Sequence, residues 1–151
     1  MAIERKLAKI IDPDTYLVSV AMSGSPDEAY FLSNGYTWQD VEKCCDGHYY
    51  VSGHVPQEKE IEHQSRVEVQ ENEAAMEKTN QEYKIILDQA GHEKLRGTIS
   101  PELMQKLDDL REILSLRARL TYDLILSKNN GDEESMETYN TIMDRLNELE
   151  A

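Results

Sequence analysis

The chain has 151 residues, of which 39% are hydrophobic and 30% charged, enough for one ordinary core or two small ones. Thirty acidic residues against 16 basic ones leave a net charge of −14, which argues against direct binding to a nucleic-acid backbone and favours solvated helix faces or a basic partner. A membrane span needs roughly 20 apolar residues in a row; the apolar runs, such as Leu124 to Leu126, are far shorter.

The opening residues, "MAIERKLAKIIDPD", carry no apolar signal core and no small-residue cleavage site, so a cytosolic origin is expected. "TYLVSVAM" (Thr15 to Met22) is β-branched and alternating, which predicts a strand. "SGSPDE" reads as a turn cluster and "AYFL" as a second short strand. Asn34-Gly35 then reads as a hairpin turn, because both residues tolerate positive φ. "YTWQDVEKC" is expected to continue as a strand with Tyr36, Trp38 and Asp40 on one face, although "TWQD" also fits a helix cap and first turn over residues 37–45. Asp46-Gly47 is a further turn signal, and "HYYVSGHV" is the returning strand.

Composition changes at Pro56. Tyr16, Tyr30, Phe31, Tyr36, Trp38, Tyr49 and Tyr50 precede it, while Glu, Gln, Leu, Met and Ala dominate afterwards. The first 56 residues are therefore expected to form a small aromatic β domain, and residues 57–151 a helical domain. A first helix should run from about Glu58 to Ala90 and end at Gly91. Val69, Met76, Tyr83 and Ala90 recur along it every seven residues, but the intervening Asn72 and Thr79 are polar. Ser100 as cap and Pro101 at the first helical position open a second helix. Its stripe of Leu103, Leu107, Leu110 and Leu114 is prolonged by Leu120, Leu124 and Ile125 to about Lys128, where "NNGD" stops it. A third helix begins at Asp132 or Ser135, with Met136, Tyr139, Met143 and Leu146 on its apolar face. Shifting the chain by 39 residues lays "EYKIIL" (82–87) on "TYDLIL" (121–126) and "LMQKLDDL" (103–110) on "IMDRLNEL" (142–149), the pattern of a repeated helical hairpin. The expected class is thus α+β: a small N-terminal antiparallel β meander followed by long antiparallel, coiled-coil-like helical hairpins. Elements this thin bury little alone, so a homo-oligomer is expected.

Chemistry is sparse. Cys44, Cys45, His48, His54 and His63 form the one candidate metal set, but adjacent cysteines lack the two-to-four-residue spacing of zinc sites. Neighbouring cysteines also cannot form a relaxed disulfide, so reduced thiols are expected. A catalytic thiol needs a nearby cation or base, and "EKCCDG" is mostly acidic. "GHEKLRG" has two glycines but no strand before it and no Gly-Lys-Ser/Thr, so it is no phosphate loop. Arg111, Arg117 and Arg119 are expected to pair with neighbouring carboxylates. We expect no enzyme, no metal and no cofactor. Tyr36, Trp38, Tyr49 and Tyr50 are the candidate partner-binding anchors because aromatic side chains dominate contact energies, with packing in the sheet core as their alternative role.

The junction "HYYVSGHVPQEKE", with the acidic helix after it, "EYKIILDQAGHEKLRG" before Pro101 and the ending "MDRLNELEA", resembles phage tail-fibre accessory and assembly proteins of prophages, over roughly residues 45–151. In that group a compact aromatic β segment closes with an aromatic pair, a glycine and a proline, as Tyr49, Tyr50, Gly53 and Pro56 do here. The resemblance implies a non-catalytic, chaperone-like protein whose partner is another phage tail or fibre protein, found in the host cytoplasm during assembly or in the virion tail. An acidic phage-encoded inhibitor that mimics nucleic acid and binds a basic host protein is the alternative.

Overall fold

A computed structural model of the chain describes residues 2–21 and 27–151. The chain divides into two compact units, Met1–His63 and Gln64–Ala151. The boundary falls inside a long helix, because its first turns hydrogen-bond to the strands that precede it.

The first unit holds β1 (Ile3–Asp12), β2 (Leu17–Val20), a short helix α1 (Glu28–Ser33), β3 (Thr37–Lys43) and β4 (Tyr49–Val51). All pairings are antiparallel, in the order β1-β2-β4-β3 with β3 returning to β1, so the sheet is a closed barrel. This corrects the expected meander. Closure is possible because β1, ten residues long, pairs with β2 through Ala8–Val20 and Ile10–Val18 and with β3 from Ile3–Glu42 to Ala8–Thr37. Closing the sheet removes the exposed edges that a small meander would leave. Inside lie Ala8, Val18 and Val41, with Val20, Tyr49 and Val51 packed around them. A second cluster joins Cys44, Tyr50 and Val55 with Leu17.

Two further expectations are corrected here. "AYFL" belongs to α1 and not to a strand, and Asn34-Gly35 ends that helix instead of turning a hairpin. The Gly35 amide bonds to the Leu32 carbonyl and its φ of +90° suits a residue without Cβ, a common helix ending. Of the "SGSPDE" turn, Ser23 to Pro26 lie outside the described residues, as does Met22 at the end of the first expected strand. The choice left open at residues 37–45 resolves as strand through Lys43. A tight corner follows, in which the Cys44 amide donates to the His48 carbonyl (2.8 Å) and the Gly47 amide to the Cys44 carbonyl (3.0 Å), with Gly47 at φ +87°.

The helices are α2 (Gln57–Leu95), α3 (Pro101–Ala118), α4 (Tyr122–Asn129) and α5 (Glu133–Glu150). The core of the second unit joins Ile86 and Ala90 of α2, Leu107, Leu110 and Ile113 of α3, Leu120, Ile125 of α4, and Ile142 and Leu146 of α5. Contacts climb α3 and α4 while descending α2: Lys106–Glu82, Arg111–Tyr83, Arg117–Asn72, Lys128–Glu68 and Asn129–Ser65. The two stretches therefore run in opposite senses.

Three helix boundaries differ from expectation. α2 passes through Gly91 and stops at Leu95, before Gly97 at φ +131°. The second expected helix is two helices. It breaks at Arg119–Thr121, where the Thr121 hydroxyl accepts the Leu124 amide (3.3 Å) and so caps α4. The 39-residue shift brings buried Ile86 onto buried Ile125 and Leu107 onto Leu146, yet it lays the turn after α2 onto residues inside α5. Core spacing repeats; the turns do not.

Candidate functional site

The four aromatic candidates sit in different environments. Tyr50 is 3% exposed and packs with Cys44 and Val55, which makes it a core residue. Tyr49 is half-buried against the inner cluster, with the ammonium groups of Lys6 and Lys43 5.6 and 5.9 Å from its ring centre. Tyr36 is half-buried, its hydroxyl 2.9 Å from that of Ser19 and its ring edge-on to Phe31. Trp38 alone of the four is exposed, at 48%. It lies opposite Leu7 across the β1–β3 pairing, and its indole N–H donates to the Glu28 carboxylate of α1 (3.2 Å). Residues opposite one another in an antiparallel pair share a face. The same face carries Arg5 opposite Asp40, an ion pair at 3.2 Å, and Ile3, which is also exposed.

The cysteine–histidine stretch divides in a way its spacing does not suggest. His54 stacks on Tyr16, ring centres 3.7 Å apart, and Tyr16 itself adopts a φ of +60°. His48 and His63 are exposed. Among the described residues the sulfurs of Cys44 and Cys45 instead meet Glu60 of α2, with all three ligand atoms within 4.8 Å of one another. The sulfurs are 3.7 Å apart, and the Cys45 amide donates to Glu60 Oε1 (3.1 Å). Burial pushes the Cys44 thiol up to about 12. A backbone hydrogen bond at Asp46 opposes that rise, while hydrogen bonds with Glu60 and Cys45 and the charge of Asp46 add to it. At neutral pH Cys44 is a protonated thiol, which disfavours it as a nucleophile.

Beside it sits a network that position alone did not reveal. Asp46 accepts from Lys59 Nζ (2.8 Å), the Tyr50 hydroxyl (3.0 Å) and the His48 amide (2.8 Å). Burial would raise the Asp46 carboxyl, but hydrogen bonds from Lys59, His48 and Tyr50 outweigh it and hold the group well below the usual carboxylate range. Burial and the bond to Asp46 raise the Tyr50 hydroxyl, and Asp46 and Tyr50 raise Lys59. Each proton is thus held where it already resides at neutral pH. The network fastens the β3–β4 corner to the first turn of α2 and is poorly suited to moving protons. Lys59 and Glu60 lie some fifteen residues from the corner, so only the fold brings them there.

On the helical unit, Arg117 donates to both carboxylate oxygens of Glu150 (2.7 and 2.9 Å) and to Asn72 Oδ1. Arg111 donates to the Tyr83 hydroxyl and lies 3.8 Å from Asp108. Glu150 and Asp108 are carboxylate partners of the kind expected for Arg117 and Arg111, and Tyr83 and Asn72 are additional ones. No ion pair is found for Arg119 among the described residues. A groove of about 450 Å³ near the α2–α3 turn is lined by Leu87, Ala90, Lys94, Ile99, Met104 and Leu107, of which Met104 and Leu87 are exposed. No helix among the described residues is long and apolar enough to cross a membrane. Comparison with known proteins finds no matching family model, no matching curated protein and no matching solved structure.

Proposed function

We propose that the chain is a non-catalytic phage tail-fibre-associated or tail-assembly protein that works by protein–protein contact. The observation that carries the contact reading is Trp38, a large aromatic on the outer face of the barrel, held there by its bond to Glu28, while Tyr50 is buried against Cys44 and Val55. An indole already fixed in orientation loses little side-chain freedom on binding, which is what a contact anchor requires. The phage reading rests on the junction of Tyr49, Tyr50, Gly53 and Pro56 with the acidic helix. Gly53, at φ +84°, makes the turn and Pro56 directly precedes α2. In this reading α2 with α3 and α4 is the coiled-coil-like hairpin of the tail, and its exposed Ile85, Leu87, Leu95 and Met104 are where copies associate. Affinity purification from cells assembling the phage should retain a fibre or baseplate protein; a chain that purifies alone from such cells would sink the proposal.

The net charge of −14 favours a second reading, an acidic inhibitor of a basic, nucleic-acid-binding host protein. That reading requires DNA to displace the chain from its target. The first requires DNA to have no effect.

A further inference from the structure

Successive side chains of an extended strand point to opposite faces. Cys44 and Cys45 directly follow β3, yet their sulfurs lie on one side of the chain, 3.7 Å apart. The corner built by the Cys44–His48 and Gly47–Cys44 backbone bonds turns them together. Two thiolates held at about 2.3 Å from one tetrahedral zinc ion stand about 3.8 Å apart, so the sulfurs already have the required bite. A third donor comes from a separate element. Glu60 is oriented by the Cys45 amide, and one of its oxygens lies within 4.8 Å of both sulfurs. Cys44 is buried and Cys45 exposed, which leaves the pair sealed on one side and open to an incoming ion on the other.

We propose that Cys44, Cys45 and Glu60 form a binding site for a thiophilic divalent cation of the zinc and cadmium class. The two sulfurs and one carboxylate oxygen supply three ligands, and solvent completes the tetrahedron. Each thiol releases its proton to solvent as its sulfur binds, and no oxidation is involved. Soft sulfur ligands select this class over magnesium or calcium, which take oxygen ligands. Because the ligands come from the β3–β4 corner and from the first turn of α2, the ion would staple the first unit together. That makes the site independent of the partner surface around Trp38.

The test is titration of the reduced full chain with Cd²⁺, following thiolate-to-cadmium charge-transfer absorption and the thermal midpoint together. Wild type should bind one ion with a band of two-thiolate intensity and a raised midpoint. Cys45→Ser, at an exposed position, should lose most of the band and the midpoint gain while its ion-free midpoint stays close to wild type. Glu60→Gln should keep the band and bind about tenfold or more weakly, as weakened ligand sets do. Wild type without a band, a band of the same intensity in Cys45→Ser, or equal affinity in Glu60→Gln would overturn the assignment. Mg²⁺ at the same concentration should leave absorption and midpoint unchanged; a midpoint rise equal to that with Cd²⁺ would count against a thiolate site.

Discussion

Asp46 shows how one carboxylate can organise a unit. Three donors converge on it, two of them from a buried tyrosine and from a lysine on the next element. Its folded pKa lies below the unfolded value of about 3.9, so the stability it contributes is complete above that pH and is lost as pH falls through the folded pKa. Asp46→Asn should cost about 1.5–3 kcal/mol at pH 7, the range for hydrogen bonds to a charged group. The gap between variant and wild type should narrow below about pH 4, where the unfolded chain takes up a proton that the folded Asp46 still resists. Urea unfolding at several pH values measures both, and a gap that widens on acidification contradicts this account. Trp38 is the opposite case, a residue whose exposure leaves nearly half of its surface for something other than folding.

Among the elements, α2 is the least conventional. Its seam holds Ser65 and Asn72 where a coiled coil would hold aliphatic residues, and both are buried. Each polar side chain has a partner: Asn129 Nδ2 donates to the Ser65 hydroxyl (3.0 Å), and Asn72 donates to the Arg117 carbonyl (2.9 Å) while accepting from its guanidinium. Such pairs fix register, because a slip along the helix would strand buried polar groups. Asn72→Ala should therefore destabilise the helical unit by about 1–3 kcal/mol in urea unfolding. Asn72→Leu should fail to recover that loss despite being more apolar, because the Arg117 carbonyl and one guanidinium nitrogen would still lack Asn72 while Glu150 holds the rest of the guanidinium. Full recovery by leucine would show that apolar packing governs the seam.

The seam also marks what could be read without a fold. Val69, Met76, Tyr83 and Ala90 announced one face of α2, but nothing in Ser65 or Asn72 signalled burial, since their partners lie in helices 45 or more residues away. Where a signal was local it was legible. Ser100 and Pro101 open α3, Asp132 caps α5 and Asp46-Gly47 forms the β3–β4 corner. β1 was missed because "IERKLAKIID" lacks clean alternation, and its face is decided by a β3 some thirty residues on. The break before α4 carries no glycine or proline. The apolar stripe runs on through Leu120, Leu124 and Ile125, so periodicity alone reads one helix. At the site, Tyr50 and Trp38 looked alike as aromatic letters and only burial separates them; Glu60 had no motif linking it to Cys44 and Cys45.

At the scale of the whole molecule, charge dominates. A net charge of −14 on 151 residues opposes compaction by self-repulsion, and most ion pairs among the described residues, such as Arg5–Asp40 and Arg145–Glu112, are at least two-fifths exposed on both partners. Raising salt to about 0.5 M screens that repulsion more than it weakens such surface pairs. The thermal midpoint should therefore rise by a few degrees with added sodium chloride, and a fall would place the ion pairs above the net charge in importance. Trp38 shares the outside of the first unit with other exposed apolar side chains such as Ile3, Ile11 and Tyr30. The reading of the protein as a contact module turns on Trp38 because it is the one exposed residue of the four aromatic candidates. The most direct measurement is affinity purification of wild type and Trp38→Ala side by side from cells assembling the phage, after matching their thermal midpoints. A tail-fibre or baseplate protein should accompany the wild type and be lost, or reduced about tenfold, in the variant. Equal recovery with both chains, or none with either, would contradict the account.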